Sequence, residues 1–135
     1  MAQTSGLVLF AHGARDPEWA EPFRDIAKRV AASRADLAVK LAFLEFQSPA
    51  LADAITELVD AGHCHIRIAP LFMAQGGHLK NDVPKLLADI RTRHPALQLE
   101  LLPAIGDVAE LRDAIAHWLI KAAAEIPARN ACCSA

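Results

Sequence analysis

The stretch Leu7-Val8-Leu9-Phe10-Ala11-His12-Gly13 decides how this chain is interpreted. Its five consecutive apolar residues predict a strand at about residues 6–12 that is buried on both faces, as central strands of parallel sheets are. His12 closes the strand, and Gly13 allows the backbone to turn sharply and to approach a ligand. In open α/β sheets, ligands bind beyond the carboxyl ends of the strands. The stretch therefore predicts a central strand with a candidate site at its end.

Strand and helix patterns alternate four times along the chain. The predicted strands cover about residues 6–12, 38–46, 65–73 and 97–102. This alternation with short connections predicts an α/β fold, a doubly wound parallel sheet with helices on both faces and so three α/β/α layers. The first and third strands are the most apolar, which favours their central placement and the order 2-1-3-4. The switch point then lies between these two strands, near His12 and His78.

Capping signals set the predicted ends of the helices. The first helix is predicted at about 18–33, the second after Ser48 as N-cap and Pro49 as its first residue, and the third from about Asn81 to His94. The third range is compatible with Pro84 only if this proline lies in the first turn. Asp107 with Glu110 resembles a capping box for the last helix. That helix carries an apolar face of Leu111, Ile115, Trp118 and Leu119.

Length and composition narrow the class of protein. The 135 residues predict one domain at 1–126 with a C-terminal tail at 127–135, and the hydrophobic fraction of 53% is ample for a core. A net charge of −2 argues against a general nucleic-acid binder. No apolar run approaches the ~20 residues that span a bilayer, and no signal peptide is evident. Three cysteines without a framework pattern fit a cytoplasmic protein. Cys132 and Cys133 can bind metal or be solvated, and their adjacency lacks the usual ligand spacing.

Two histidines and a glycine pair form the first set of candidate site residues. His78 follows the third strand after Gly76 and Gly77, so two imidazoles reach the same edge of the sheet from separate strands. Two glycines before a helix can form a nest of backbone amides for an anion, or an ordinary flexible loop. His12 can equally be a satisfied core or capping residue. The pair of histidines indicates a shared metal ion or a proton-transfer role.

Three charged residues near these histidines complete the candidate set. Glu45 lies in the otherwise apolar stretch Leu41–Phe46, where an unpaired carboxylate is expensive to bury. It is therefore predicted to be a strand-end residue in solvent, a metal ligand, or a group that orients an imidazole. Arg15 can be a solvated loop charge or can hold a carboxylate in bidentate fashion. Lys80 follows His78 closely in the sequence.

The other histidines carry less information. His63 and His65 flank Cys64 at the opposite edge of the sheet, and strand alternation would point the cysteine away from both, so structural roles are favoured over a metal trio. His94 suits a helix C-terminus. His117 is predicted to be a partly exposed helix residue.

With these residues assembled, the chain resembles the small sirohydrochlorin chelatases, the single-domain members of the class II chelatases. Three segments carry the resemblance over roughly residues 7–119. They are Leu9 to Pro17, Ala42 to Glu45 ahead of Ser48-Pro49, and Ala69 through Gly76-Gly77-His78 to Pro84. One departure is Ala14, where the family often has serine, so a hydroxyl contact is lost there.

The resemblance implies an activity, a fold and a partner. Such enzymes insert a divalent metal ion into sirohydrochlorin, a tetrapyrrole on the routes to cobalamin, sirohaem and a nickel cofactor. It implies that His12 and His78 bind the incoming cobalt, iron or nickel and accept pyrrole protons, in a flavodoxin-like fold that forms a homodimer. Glu45 can complete the metal shell. Arg15, Lys80 and the amides of Gly76 and Gly77 are candidate anchors for the carboxylates of the macrocycle, and no cofactor is needed beyond the substrate metal.

Two other functions remain open at this point. A metal or tetrapyrrole carrier would bind the same ligands without turnover. A histidine phosphatase would be expected to place an arginine directly before the histidine, where this chain has Ala11.

For the chelatase, cobalt is the favoured substrate metal, and the enzyme would act in the cobalamin or sirohaem pathway.

Overall fold

The computed structural model of the protein describes residues 5–127. Its elements alternate along the chain, and two short 3-10 turns, Pro17–Ala20 and Ile105–Asp107, precede the first and last helices. The strands are β1 (Ser5–Ala11), β2 (Leu37–Phe43), β3 (His65–Pro70) and β4 (Gln98–Leu101). The helices are α1 (Glu21–Ser33), α2 (Leu51–Asp60), α3 (Gly77–Arg93) and α4 (Ala109–Ala123). Across the described residues, none of the helices has the length and hydrophobicity that crossing a bilayer requires.

The four strands form one parallel sheet in the order β2-β1-β3-β4, which confirms the predicted fold class and strand order. β1 is central, with Ala11 beside Phe43 of β2 and Phe10 beside Pro70 of β3. Because all strands run the same way, their carboxyl ends meet at one edge of the sheet. His12, the residue after β1, therefore lies at that edge, and the loops after β2 and β3 begin beside it.

Alternation along the strands divides the core between the two faces of the sheet. Val8 and Phe10 of β1 point towards α2 and α3, where they pack with Ile66 and Ile68 of β3 and with the apolar sides of both helices. The opposite face is smaller, and there Ala11 packs with α1 and the turn before it. Full burial of a side chain as large as Phe10 contributes about 1.5–3 kcal/mol. The buried face towards α2 and α3 therefore holds the sheet edge in place.

Two strands end three residues earlier than predicted. β2 ends at Phe43 and not at residue 46, so Glu45 lies in the following loop and not within the strand. The loop leaves the sheet because its backbone turns back at Phe46, where φ is +66°. β3 ends at Pro70 and not at residue 73, because a proline has no N–H to continue the ladder.

The helix starts also differ from the predictions. The first helical segment is divided into the 3-10 turn Pro17–Ala20 and α1, because Pro22 in the first turn of α1 cannot donate to a preceding carbonyl. The Ser48–Pro49 peptide bond is cis, and α2 begins at Leu51 with Ala50 as its N-cap, so Ser48 does not cap it.

The last two helices depart further. α3 begins at Gly77, four residues before the predicted Asn81, and Pro84 consequently lies inside the helix on its exposed side. The predicted capping box at Asp107 is absent from α4, whose N-cap is Val108. No residue of α4 is buried.

Candidate functional site

Backbone hydrogen bonds extend the pairing of β1 and β2 beyond the ends of the strands. The Leu44 N–H donates to the Ala11 carbonyl at 2.9 Å, and the Glu45 N–H donates to the His12 carbonyl at 3.1 Å. The Ala14 N–H donates to the Gln47 side-chain oxygen at 3.1 Å. These bonds fix the loop after β2 against the loop after β1. Glu45 is therefore held beside His12, although the two residues are far apart in the sequence.

Gly13 is required by this close approach. Its φ is +88°, and a Cβ atom placed on it would lie 1.9 Å from the Glu45 carbonyl oxygen. A contact that short cannot exist, and L-residues rarely adopt that backbone conformation. Gly13 was predicted to allow a sharp turn. The structure adds a second reason for glycine, because only a residue without a Cβ atom lets the loop that carries Glu45 pack this closely.

The side chains of His12 and Glu45 form a pair at the edge of the sheet. His12 Nδ1 lies 3.5 Å from Glu45 Oε1, and each side chain is about half exposed, 50% and 49%. The His12 ring stands edge-on to Phe72, with centroids 6.1 Å apart, and Phe72 packs in turn on Phe10 of the core. The imidazole is thus supported on one side by buried aromatic rings and faced by a carboxylate, which is how a histidine is oriented for metal binding.

Phe46 lies beside the candidate site, and the sequence did not single it out. The Gln47 N–H donates to the Glu45 carbonyl at 2.8 Å across Phe46, which makes a classic γ-turn with φ of +66° at its centre. Such a turn is strained, and a bulky residue there is an outlier that marks functional loops. The ring is 58% exposed. No signal in the sequence separates this phenylalanine from the apolar strand before it.

Arg15 contacts the same loop. Its guanidinium carbon lies 5.2 Å from the centroid of the Phe46 ring, within the range of a cation–π interaction. Arg15 is exposed at the position that was predicted for it, so its charge is available to an anion at this edge of the sheet. The structure therefore brings Arg15, Phe46, Glu45 and His12 into one continuous group on the loops after β1 and β2.

The residues predicted after β3 lie at the start of α3. Gly76 is the N-cap and Gly77 the first residue, and no side chain caps this helix end. Lys80 is exposed in the first turn, where its N–H donates to the Gly76 carbonyl at 3.2 Å. His78 also belongs to that turn, and its side chain lies outside the described part of the structure. These four residues follow the strand next to β1, at the same edge of the sheet.

At the opposite edge of the sheet, the described side chains form no group suited to a metal ion. Within residues 5–127, apart from the side chain of His78, no three or more His, Cys, Asp or Glu side chains are grouped as a metal ion requires. Cys64 is exposed and free, and the favoured structural role of His65 is seen in its contact with Glu100 at 3.0 Å. Cys132 and Cys133 lie outside the described residues.

The carboxyl group of Glu100, in the same region, has a lowered pKa. The Arg67 guanidinium donates to the Glu100 carboxylate at 2.6 Å, and this bond, with that from His65, lowers the pKa of Glu100 below its ordinary value. The cluster lies on the face of the sheet and not at the edge that carries His12.

Of the other predicted histidines, His94 forms the C-cap of α3 and lies 3.3 Å from the Thr56 hydroxyl. His117 is exposed on α4, as predicted.

Comparison with known proteins identifies the family to which the chain belongs. The CbiX family model matches residues 6–122. A sirohydrochlorin cobaltochelatase from Saccharolobus islandicus is 30% identical over 131 residues, which cover 93% of this chain and 98% of the relative. One from Methanococcus maripaludis is 32% identical over 81 residues, which cover 60% of this chain and 56% of that one.

Solved structures agree with the sequence relatives. A CbiX protein of Marinobacter aquaeolei, whose name assigns it to cobalamin (vitamin B12) biosynthesis, has a similar structure, with a TM-score of 0.76 and 27% sequence identity. The superposition covers 87% of this chain and 95% of that protein. SirB from Bacillus subtilis has the same fold, with a TM-score of 0.75 at 22% identity. The match covers 92% of this chain but 48% of SirB, so this chain spans about half the length of that neighbour. The chain therefore belongs to the CbiX family of sirohydrochlorin chelatases.

Proposed function

We propose that this protein inserts a divalent metal ion into sirohydrochlorin, and that cobalt is the metal. The observation that carries the proposal is the His12–Glu45 pair at the carboxyl edge of the sheet, in a chain whose curated relatives are named sirohydrochlorin cobaltochelatases. Imidazole and carboxylate are suitable ligands for first-row divalent metals. We assign the reaction to tetrapyrrole biosynthesis on the cobalamin route, with the sirohaem route and iron as the alternative.

His12 would act as ligand and base. Insertion exchanges two pyrrole protons for one metal ion, so a group at the site must release the metal and accept a proton. The Glu45 carboxylate faces Nδ1, which favours the tautomer that carries its proton there and leaves Nε2 free to bind metal or to accept a proton. Glu45 also supplies negative charge beside an incoming cation. His78, from the next strand, would provide the second imidazole.

The remaining predicted residues would hold the macrocycle. Sirohydrochlorin carries many carboxylates, and Arg15 is an exposed guanidinium at the rim of the site. Lys80 and the uncapped amides of Gly76 and Gly77 at the start of α3 are a second group suited to carboxylates. Phe46, exposed beside Arg15, offers an aromatic surface to a flat ring.

The test is a metal-insertion assay that follows the absorption spectrum of metal-free sirohydrochlorin with cobalt, iron and nickel at matched concentrations. His12→Ala and His78→Ala should each lower kcat by at least about 100-fold, the usual effect of removing an acid–base group. His63→Ala, which removes a histidine from the opposite edge, should keep wild-type turnover. Wild-type turnover in His12→Ala would contradict the assignment.

The same assay separates a chelatase from a carrier. A catalyst converts many equivalents of macrocycle per chain, whereas a carrier changes the spectrum in proportion to its own concentration. Turnover should also fall on acidification, because a protonated imidazole can neither bind metal nor accept a proton. Glu45→Gln should weaken metal binding, because it removes the negative charge beside His12.

We further propose a single chelatase domain at residues 1–126 with a tail at 127–135, working as a homodimer in the cytoplasm. A neighbour with the same fold is about twice as long, which supports a functional unit of two such domains. Light scattering that gives a single-chain mass for the fully active protein would refute the homodimer.

A further inference from the structure

The side chain of Gln47 joins the two loops of the candidate site. Its amide oxygen accepts a hydrogen bond from the Ala14 N–H at 3.1 Å, across 33 positions of the sequence. An N–H donor requires an oxygen as its acceptor, so this bond fixes which end of the side-chain amide faces the loop after β1. The NH₂ group of Gln47 is therefore directed away from the Ala14 N–H.

The NH₂ group of Gln47 is free to bind a ligand. Among the described side chains, none accepts a hydrogen bond from it, and the buried side-chain polar atom without a partner is His63 Nδ1, at the opposite edge of the sheet. The Gln47 nitrogen is therefore accessible to solvent. A primary amide carries two N–H donors. Because the amide is already held by Ala14, it loses less conformational freedom on binding than an unrestrained glutamine would.

A cation and an aromatic ring lie beside these donors. Arg15 follows Ala14 directly, and its guanidinium carbon lies 5.2 Å from the ring centroid of Phe46, the residue before Gln47. The two short segments 14–15 and 46–47 are thus joined by a hydrogen bond and by a cation–π interaction. A guanidinium has donors but no acceptor, and the Gln47 oxygen is already engaged. The group as a whole is therefore suited to a carboxylate.

We propose that Gln47 is a substrate-binding residue, whose amide N–H groups donate to a carboxylate at the rim of the macrocycle beside Arg15. This inference rests on the proposed function and assigns a substrate contact within it. Glu45 lies two residues before Gln47 in the same loop and faces His12 at 3.5 Å. The centre of the macrocycle then lies at the His12–Glu45 pair, and its rim of carboxylates reaches segments 14–15 and 46–47.

Two substitutions separate this contact from a purely structural role of the side chain. Gln47→Glu keeps an oxygen that can accept the Ala14 N–H, but it replaces the N–H donors by a second oxygen that is negatively charged near neutral pH. Gln47→Met has a side chain of similar length and removes both the acceptor and the donors. The experiment is a titration of metal-free sirohydrochlorin without added metal, followed by its absorption spectrum.

The two variants should weaken binding to different extents. Gln47→Met should raise the dissociation constant of metal-free sirohydrochlorin about 10-fold, because a hydrogen bond to a charged group is lost. Gln47→Glu should raise it about 100-fold, because two negative groups then face each other. Gln98→Glu, the same substitution at an exposed position where β4 begins, on the opposite edge of the sheet, should leave it unchanged.

Stability should follow a different order from binding. Urea midpoints of the wild type and Gln47→Glu should agree, because the bond from Ala14 is kept, whereas that of Gln47→Met should fall. If Gln47→Glu bound the macrocycle as tightly as the wild type while Gln47→Met bound it weakly, the side chain would only join the loops and the proposal would be overturned. A wild type that neither binds nor metallates sirohydrochlorin would overturn the proposed function and this inference together.

Discussion

Replacement of Gly13 by alanine should damage both the stability and the site, because two separate penalties apply at this residue. The first is conformational, since φ of +88° costs an L-residue about 1–2 kcal/mol. The second is steric. The new Cβ would lie 1.9 Å from the Glu45 carbonyl oxygen, and an ordinary contact needs 3.4 Å, so the loop must retreat by about 1.5 Å.

A retreat of that size breaks the bonds that join the loops. The bonds from Glu45 N–H to the His12 carbonyl and from Ala14 N–H to Gln47, both 3.1 Å long, would be lost at about 1 kcal/mol each. The two penalties together predict that Gly13→Ala lowers the free energy of unfolding by about 3–4 kcal/mol, or Tm by roughly 12–16 °C. Metal insertion should fall as well, because Glu45 moves away from His12.

Gly62 supplies the matched control. It has φ of +97°, but a Cβ placed on it would meet nothing within 4 Å. Gly62→Ala should therefore carry the conformational penalty alone, about 1–2 kcal/mol. Urea unfolding of both variants isolates the steric part by subtraction. If Gly13→Ala proved no more destabilising than Gly62→Ala, the close packing of the two loops would not exist in solution and the argument would fail.

Three further predictions concern single side chains. Arg67 and then His65 lower the pKa of Glu100, so the stability that its ionised form contributes should be present above the ordinary unfolded pKa of 4.5 and lost as pH falls through the lower folded pKa. Arg67→Met should raise the midpoint of the Glu100 titration measured by NMR, and an unchanged midpoint would refute the pairing of the two side chains. Phe46→Ala should raise KM for sirohydrochlorin by about 10-fold with less effect on kcat, and Phe46→Tyr should behave as wild type; equal losses of kcat and kcat/KM would instead indicate a role in the chemical step. Ile55→Ala, at a fully buried position of α2, should lower the free energy of unfolding by about 2–5 kcal/mol in urea titration, and a loss below 1 kcal/mol would contradict its core position.

The parts of the fold that follow from local periodicity could be predicted from the sequence. Continuous apolar runs at β1 and β3 indicated central strands, and alternation with helices then implied the parallel order β2-β1-β3-β4. The position of His12 at the edge of the sheet follows from the same reasoning, because every strand of a parallel sheet ends on the same side. The predictions of the helix starts were less accurate. Proline positions allow several N-termini, and the preference for Pro84 in a first turn gave way to the packing of α3.

The geometry of the candidate site depends on contacts between residues far apart in the chain. The approach of Glu45 to His12 requires Gly13, the extended pairing beyond β1 and β2, and the γ-turn at Phe46 together, and none of these is encoded by a local pattern. The exposed face of α4 has the same origin, because a stripe of apolar residues predicts that a helix will be covered but not which surface covers it. The sequence by itself therefore determined the layers and the edge that carries the chemistry. The tertiary structure decided which side chains meet there, because backbone approach and side-chain packing join segments that share no local periodicity.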